Sequence, residues 1–233
     1  MVEISTPQIH AVEGCDGVGK THFIQSITDQ YTQQGFKVKV LSTPSKELPA
    51  GQAVRALLKQ ESLYKKVSLD ELKEAFVKSI QEVATQLLNL YQDGHYNLFF
   101  LDRWWFSYLA YQFLLEGLSP EQIKNLIDEA LIDIFLPLGI TTHTSVPFEK
   151  NVLFPHVTHF DCDTDPVTIQ RFLQKRMEMC QKERSTDVHD KNNEFQLRVL
   201  NNYKRLFGAL TQAPYHLDYE KKPIPILEDK LNG

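Results

Sequence analysis

One short segment near the amino end constrains this 233-residue chain more than any other feature. Gly14-Cys15-Asp16-Gly17-Val18-Gly19-Lys20-Thr21 fits G-x-x-x-x-G-K-[ST] at every position. Residues 7–13 (PQIHAVE) read as a strand running into it. Residues 20–34 read as a helix with Phe23, Ile24, Ile27 and Tyr31 on one face, ended by Gly35. Strand, glycine turn and helix in that order build an anion site: the glycines let backbone N–H groups turn inward, and the positive end of the helix adds to them. Gly14, Asp16, Gly17, Val18 and Gly19 would wrap the phosphates of a nucleotide. Lys20 would set an ammonium against the β- and γ-phosphates, and Thr21 would give a hydroxyl ligand to Mg²⁺. The second magnesium group is expected at the end of an apolar strand, and Asp102 follows Leu98-Phe99-Phe100-Leu101.

The rest of the chain alternates strand and helix signals. Residues 36–41 (FKVKVL) alternate as a half-buried strand, and 43–51 reads as loop with a short helix after it. Ser68 with Glu71 forms a capping box opening a helix to Gln92, stopped by Gly94. Residues 97–101 are apolar on both faces, as a central parallel strand requires. Ser119-Pro120 with Gln122 starts a further helix. Residues 156–161 and 215–218 read as strands, Asp165-Pro166 opens a helix to about Lys182, and another covers roughly 194–212. The 136–154 segment shows no clear period and reads as an irregular insertion. The expected fold is α/β: a P-loop NTPase-type three-layer αβα arrangement around a mostly parallel five-stranded sheet, in one domain over 1–233, with a helical lid at about 171–193.

Composition narrows the function. A net charge of −5 supplies no positive field to gather DNA, RNA or an anionic membrane. Cys15, Cys162 and Cys180 cannot all pair within one chain and lack metal-ligand spacing, which suits a reduced cytoplasmic protein. Met1 to Gly14 holds no basic segment followed by an apolar stretch, so no signal peptide is expected. The N-K-x-D run that guanine-specific GTPases need is missing, which leaves mainly small-molecule kinases.

At this point the sequence resembles a family. Glu13-Gly14-Cys15-Asp16-Gly17-Val18-Gly19-Lys20-Thr21 is similar to the E-G-x-D-G-x-G-K-[ST] loop of thymidylate kinases. Asp102-Arg103-Trp104-Trp105-Phe106-Ser107-Tyr108-Leu109-Ala110-Tyr111-Gln112 is similar to that family's D-R-[YW]-x-x-S-x-x-A-Y-Q segment. Weaker resemblance continues through Pro155–Phe160 and Arg171, then Glu194-Phe195, Val199, Tyr203 and Leu206. The resemblance implies transfer of the γ-phosphoryl group of ATP to dTMP, with Mg²⁺, by a homodimer. It implies that Asp16 meets the deoxyribose 3′-hydroxyl, that Arg103 holds the acceptor phosphate, and that Gln112 reads the edge of thymine. Phe76 would stack on the base, and Ser107 and Tyr111 would complete the acceptor site. A guanidinium fork suits phosphate, and an amide that donates and accepts suits a pyrimidine edge. Because Gly17-Val18 carries no arginine, the catalytic cation is expected from the lid. Arg171, Lys175, Arg176, Lys182 and Arg184 are available there, Arg176 and Arg184 being preferred.

Three departures stand out. The family's R-E-P after the second strand is here Ser42-Thr43-Pro44. The arginine expected after Phe76 falls at Ile80, or at Ser79 in another alignment, with Lys78 nearby. The lid acid–base pair becomes Asp187-Val188. Each charge-assisted phosphate bond is worth about 1.5–3 kcal/mol, so losing two arginines uncompensated would weaken acceptor binding by roughly 10²–10⁴-fold. Arg55 and Lys46 could compensate. Otherwise the acceptor is a nucleoside or another monophosphate, with Glu13 or Asp102 as base for a neutral hydroxyl, or the chain binds nucleotide without transferring phosphate.

Overall fold

The computed structural model of the chain describes residues 7–59, 67–161, 166–183, 192–212 and 214–223. Five strands, β1 (Gln8–Glu13), β2 (Val38–Ser42), β3 (Leu98–Asp102), β4 (His156–Asp161) and β5 (Tyr219–Pro223), form one sheet in the order β2-β3-β1-β4-β5. Every neighbouring pair is parallel. Parallel neighbours need crossover connections, which run through α1 (Lys20–Gln33), α2 (Pro49–Lys59), α3 (Leu69–Gln92), α4 (Trp105–Gln112), α5 (Pro120–Phe135), α6 (Pro147–Leu153), α7 (Pro166–Glu183) and α8 (Asn193–Leu210). Helices on both faces explain why Leu98 to Leu101 are all fully buried. The register sets Val12 opposite Asp102 and Glu13 opposite His159. The carboxyl ends of β1, β3 and β4 therefore finish together, and the chemistry-bearing residues after them meet at one edge.

The helix ends follow the sequence signals. Ser68 accepts from the Glu71 N–H while Glu71 reaches back to the Ser68 N–H. Ser119 and Gln122 do the same for α5. On α3, Leu72, Phe76, Ile80, Val83, Ala84 and Leu87 form one buried stripe.

Two expectations need correction. The 136–154 segment is not irregular throughout: a 3₁₀ turn (Leu136–Leu138) and α6 occupy much of it, with Phe148, Val152 and Leu153 buried. Phe148 stacks on Tyr91 at 3.7 Å. Seven residues of helix are too few to show a 3.6-residue period, and only the Val146-Pro147 start betrays it. The last strand is Tyr219–Pro223, not 215–218. The Leu217 N–H is spent on Leu210 O (3.0 Å) at the end of α8, and His216 lies at φ 48°, so the chain is still turning there. The true strand, at the sheet edge, reads YEKKP and carries no apolar signal. No described helix is long and apolar enough to cross a membrane.

Two histidines are folded into the sheet as neutral rings. Burial, reinforced by His156, pushes the pKa of His10 down to about 4 against the opposing pull of Asp218. Burial, reinforced by Lys221, Lys20 and Lys204, pushes His159 down to about 3. The unfolded chain takes up these protons near pH 6.5 and the folded chain does not. Stability is therefore full above pH 6.5 and falls as the pH drops toward 4, by roughly 1.4 kcal/mol per pH unit for each ring. Thermal melts at pH 7 and pH 5 should show this loss, and His10→Phe should remove about half of it, leaving the share of His159. An unchanged pH dependence in that variant would mean that the ring already carries its proton.

Candidate active site

Gly14 opens the phosphate loop at φ 139°, where a Cβ would lie 2.9 Å from Phe160 O of β4. Gly17 has φ 79°, and a Cβ there would meet Arg176 Cγ at 3.2 Å. Side chains are excluded at both positions, so the loop packs directly on β4 and on α7. Lys20 at the start of α1 is buried, and its Nζ donates to Gly14 O (3.0 Å) and Cys15 O (2.8 Å). Burial and then the Arg103 charge lower its pKa to about 8, opposed by Asp16 and Asp102. Thr21 is exposed beside it. Asp102 ends β3.

Arg103 takes the left-handed conformation, φ 68°, which is costly for a residue with a Cβ. Its surroundings hold it there. The backbone N–H donates to Val12 O (3.1 Å), and Nη1 donates to Gly14 O (2.8 Å). Nη2 pairs with the Asp16 carboxylate, and the guanidinium lies 4.8 Å from the Tyr111 ring centroid. Asp16 also accepts from Tyr111 OH and from Gln196 Nε2, each at 3.1 Å, and its N–H donates to Gln196 Oε1 (3.3 Å). Burial alone would raise the pKa of Asp16, but Arg103 and then Lys20 hold it well below the usual carboxylate range. The acid of the loop and the arginine after β3 thus form one charged pair.

Behind them is a buried polar cluster. Glu13 is fully buried and accepts from the Trp104 N–H (2.6 Å), Ser107 Oγ (2.6 Å) and Tyr203 OH (2.8 Å). Burial raises its pKa, and the hydrogen bond from Ser107 and the Arg103 charge are the main opposing effects. Trp104 and Trp105 are both fully buried, and their indole N–H groups donate to Val152 O and Leu153 O of α6, each at 2.8 Å. The 136–154 segment therefore braces the strand end that carries Arg103.

In front of the pair is a cavity. Asp16, Asp102, Arg103, Ser107 and Tyr111 line it together with Phe76, Ile80 and Tyr108. Thr43, Pro44, Arg55, Leu58 and Lys59 close the side toward α2.

These features agree with the comparisons. The family model for thymidylate kinase matches residues 12–146, more than half of the chain. The chain belongs to the thymidylate kinase family. A protein of Archaeoglobus fulgidus described as a probable thymidylate kinase is 33% identical over 117 residues, 50% of this chain. The match spans 55% of that relative's length. The solved thymidylate kinase structure from Candida albicans has a TM-score of 0.63 at 18% identity, covering 94% of this chain and 84% of that one, a likeness of fold.

Several of the residues expected of a thymidylate kinase site come together in the fold. Lys20, Asp16, Arg103, Ser107 and Tyr111 converge, and Phe76 is both part of the core and a wall of the cavity. Gln112 ends α4 and does not line the cavity, and its Nε2 has no hydrogen-bond partner among the described residues. Of the cations expected in a lid, Arg176 is fully buried against the phosphate loop, while Arg171 is exposed. Arg184, Asp187 and Val188 lie outside the described residues, as do Cys162 and the side chain of Lys182.

The cavity also shows what stands near the missing arginines. Ile80, not Ser79, faces the cavity, and Lys78 pairs with Glu74 on the exposed side of α3 (2.8 Å). Lys46 is exposed and does not line the cavity, whereas Arg55 does, with its Nε donating to Pro44 O (2.9 Å). Lys59, one turn on, adds a second cation from α2. Sequence reasoning missed Lys59 and Gln196. Gln196 was detectable in principle as a lone amide on the apolar stripe of Val199, Tyr203 and Leu206 in α8.

Proposed function

We propose that the chain transfers the γ-phosphoryl group of ATP to dTMP, giving ADP and dTDP for dTTP synthesis. The observation that carries this reading is the Asp16–Arg103 pair at the mouth of the phosphate loop, facing a cavity walled by Phe76. Asp16 would take the 3′-hydroxyl and Arg103 the acceptor phosphate, with Arg55 and Lys59 replacing the cations lost at Ser42 and Ile80. Phe76 would stack on thymine. Ser107 and Tyr111 hold the pair in place, and Gln112, next to Tyr111, would turn inward to read the base. The loop from Gly14 through Val18 and Gly19 would cradle the donor phosphates, with Lys20 on the β- and γ-oxygens.

The acceptor is a phosphate oxygen, already anionic at neutral pH, so no general base is required. Positioning and neutralisation of spreading charge carry the rate. Arg176, packed on Gly17, would meet the transferring group, and Arg184 is its partner candidate in a lid over about 171–193. Thr21, which follows Lys20, and Asp102, at the end of β3, would be hard oxygen ligands. They suit Mg²⁺, which commonly takes one or two protein ligands and fills its other positions with phosphate and water oxygens. Bound there, the ion would neutralise the phosphate oxygens. We read the whole of 1–233 as one kinase domain, acting in the cytoplasm as a homodimer on small nucleotides.

A coupled ADP-release assay with dTMP, dUMP and thymidine tests the reading. dTMP should turn over fastest, with at least tenfold lower kcat/KM for thymidine, which lacks the charge-assisted phosphate contacts. Turnover of thymidine but not dTMP would replace the monophosphate acceptor with a nucleoside.

A further inference from the structure

We infer that Tyr203, delivered from α8, is a positioning residue for the acceptor arginine, acting through Ser107 and Glu13. Three oxygens form a closed triangle beneath Arg103. Ser107 Oγ lies 2.6 Å from Glu13 Oε2, Tyr203 OH lies 2.8 Å from the same atom, and the two hydroxyls are 2.7 Å apart. Tyr203 is fully buried, so no water competes for these contacts. A guanidinium can only donate, so the two hydroxyls keep their protons inside the triangle and turn lone pairs outward to Arg103. Arg103 Nη1 sits at that outer side, 3.3 Å from Ser107 Oγ and 3.4 Å from Tyr203 OH. Glu13 thus fixes the polarity of two hydroxyls, and these present acceptors to one edge of the guanidinium while Asp16 holds the other. A residue with φ 68° needs such bracing to keep its fork aimed at a ligand. The same helix face holds Gln196 on Asp16, so α8 grips both members of the pair.

The assignment rests on the kinase reading above, with Arg103 as the phosphate-binding residue. Its test is Tyr203→Phe, which removes the hydroxyl and keeps the ring that lies parallel to Phe207 (5.8 Å, 8°). The expected result is a rise of about tenfold in KM for dTMP, with KM for ATP and the melting temperature nearly unchanged. Ser107→Ala should act on the same parameter, and the double variant should cost less than the product of the single effects, because both hydroxyls belong to one unit. A lowered melting temperature with dTMP KM unmoved, or equal rises in both KM values, would overturn the assignment and leave Tyr203 as a structural residue. If the wild-type protein transfers phosphate to no nucleotide, the kinase reading fails by itself. Arginine side-chain NMR of the nucleotide-free protein then decides the matter: the Arg103 guanidinium resonance should shift in Tyr203→Phe, and an unchanged resonance would overturn the assignment.

Discussion

Lys20→Ala is expected to lower phosphoryl transfer by about 10³-fold while leaving the melting temperature within a few degrees of wild type. The two halves of this result have different causes. Removing one preorganised charge from a water-poor phosphate site typically costs 10²–10³-fold or more in rate, and Lys20 is the loop's own ammonium. Its absence leaves developing charge on the β- and γ-oxygens unmatched. Stability responds differently because Lys20 is a buried cation whose pKa has already fallen to about 8. Burial disfavours its charged form, so taking it away relieves a desolvation cost. The Gly14 and Cys15 carbonyls that it satisfies belong to a loop that water can reach once the side chain is gone. Coupled ADP release with dTMP, set beside thermal melts of both proteins, checks the two halves together. A near-normal rate would remove Lys20 from the mechanism.

Gly51→Ala is expected to destabilise the fold markedly through a single methyl group. Gly51 lies in the first turn of α2, and a Cβ there would fall 2.4 Å from both the N and the O of Ser45. These are backbone atoms and cannot swing aside, so helix and loop must separate. Overpacking of this kind costs about 1–3 kcal/mol. The better helix propensity of alanine returns less than about 1 kcal/mol. A net loss near 2 kcal/mol would lower the melting temperature by roughly 4–8 °C in a chain of this size. Function should fall with it, because α2 carries Arg55 and Lys59 to the cavity and Arg55 is fastened to Pro44 O. A rise of about tenfold in dTMP KM is expected. Gly35→Ala is the control: nothing lies within 4 Å of that site, and only the strain of φ 88° is felt, about 1 kcal/mol. Equal stability of Gly51→Ala and wild type would show that α2 is not pressed against the 43–45 loop.

The legibility of this molecule in its sequence follows the range of the interactions involved. Features fixed within a few residues are readable: the glycine loop, the two capping boxes, and the strand of Leu98–Leu101 that must be covered on both faces. The Asp102-Arg103 to Tyr111 stretch is readable because its chemistry is concentrated in one strand end and one short helix. What escapes is set by distant partners. Lys59 gains its meaning only when α2 is laid across the cavity, and Gln196 only when α8 meets a loop 180 residues away. The 136–154 segment looked irregular because its order comes from the indoles of Trp104 and Trp105 and the ring of Tyr91, none of them local to it. The last strand is illegible in the sequence because an edge strand of Glu and Lys has no apolar alternation to announce it.

The paired indoles next to Arg103 also give the protein a native optical reporter. The sequence contains two tryptophans, and both are fully shielded from solvent on the residues that immediately follow Arg103. Tryptophan emission therefore originates at one place in the molecule. Its wavelength and intensity track the seating of that strand end on the 147–153 helix, so nucleotide titrations can be followed there without attaching a dye or introducing a foreign chromophore.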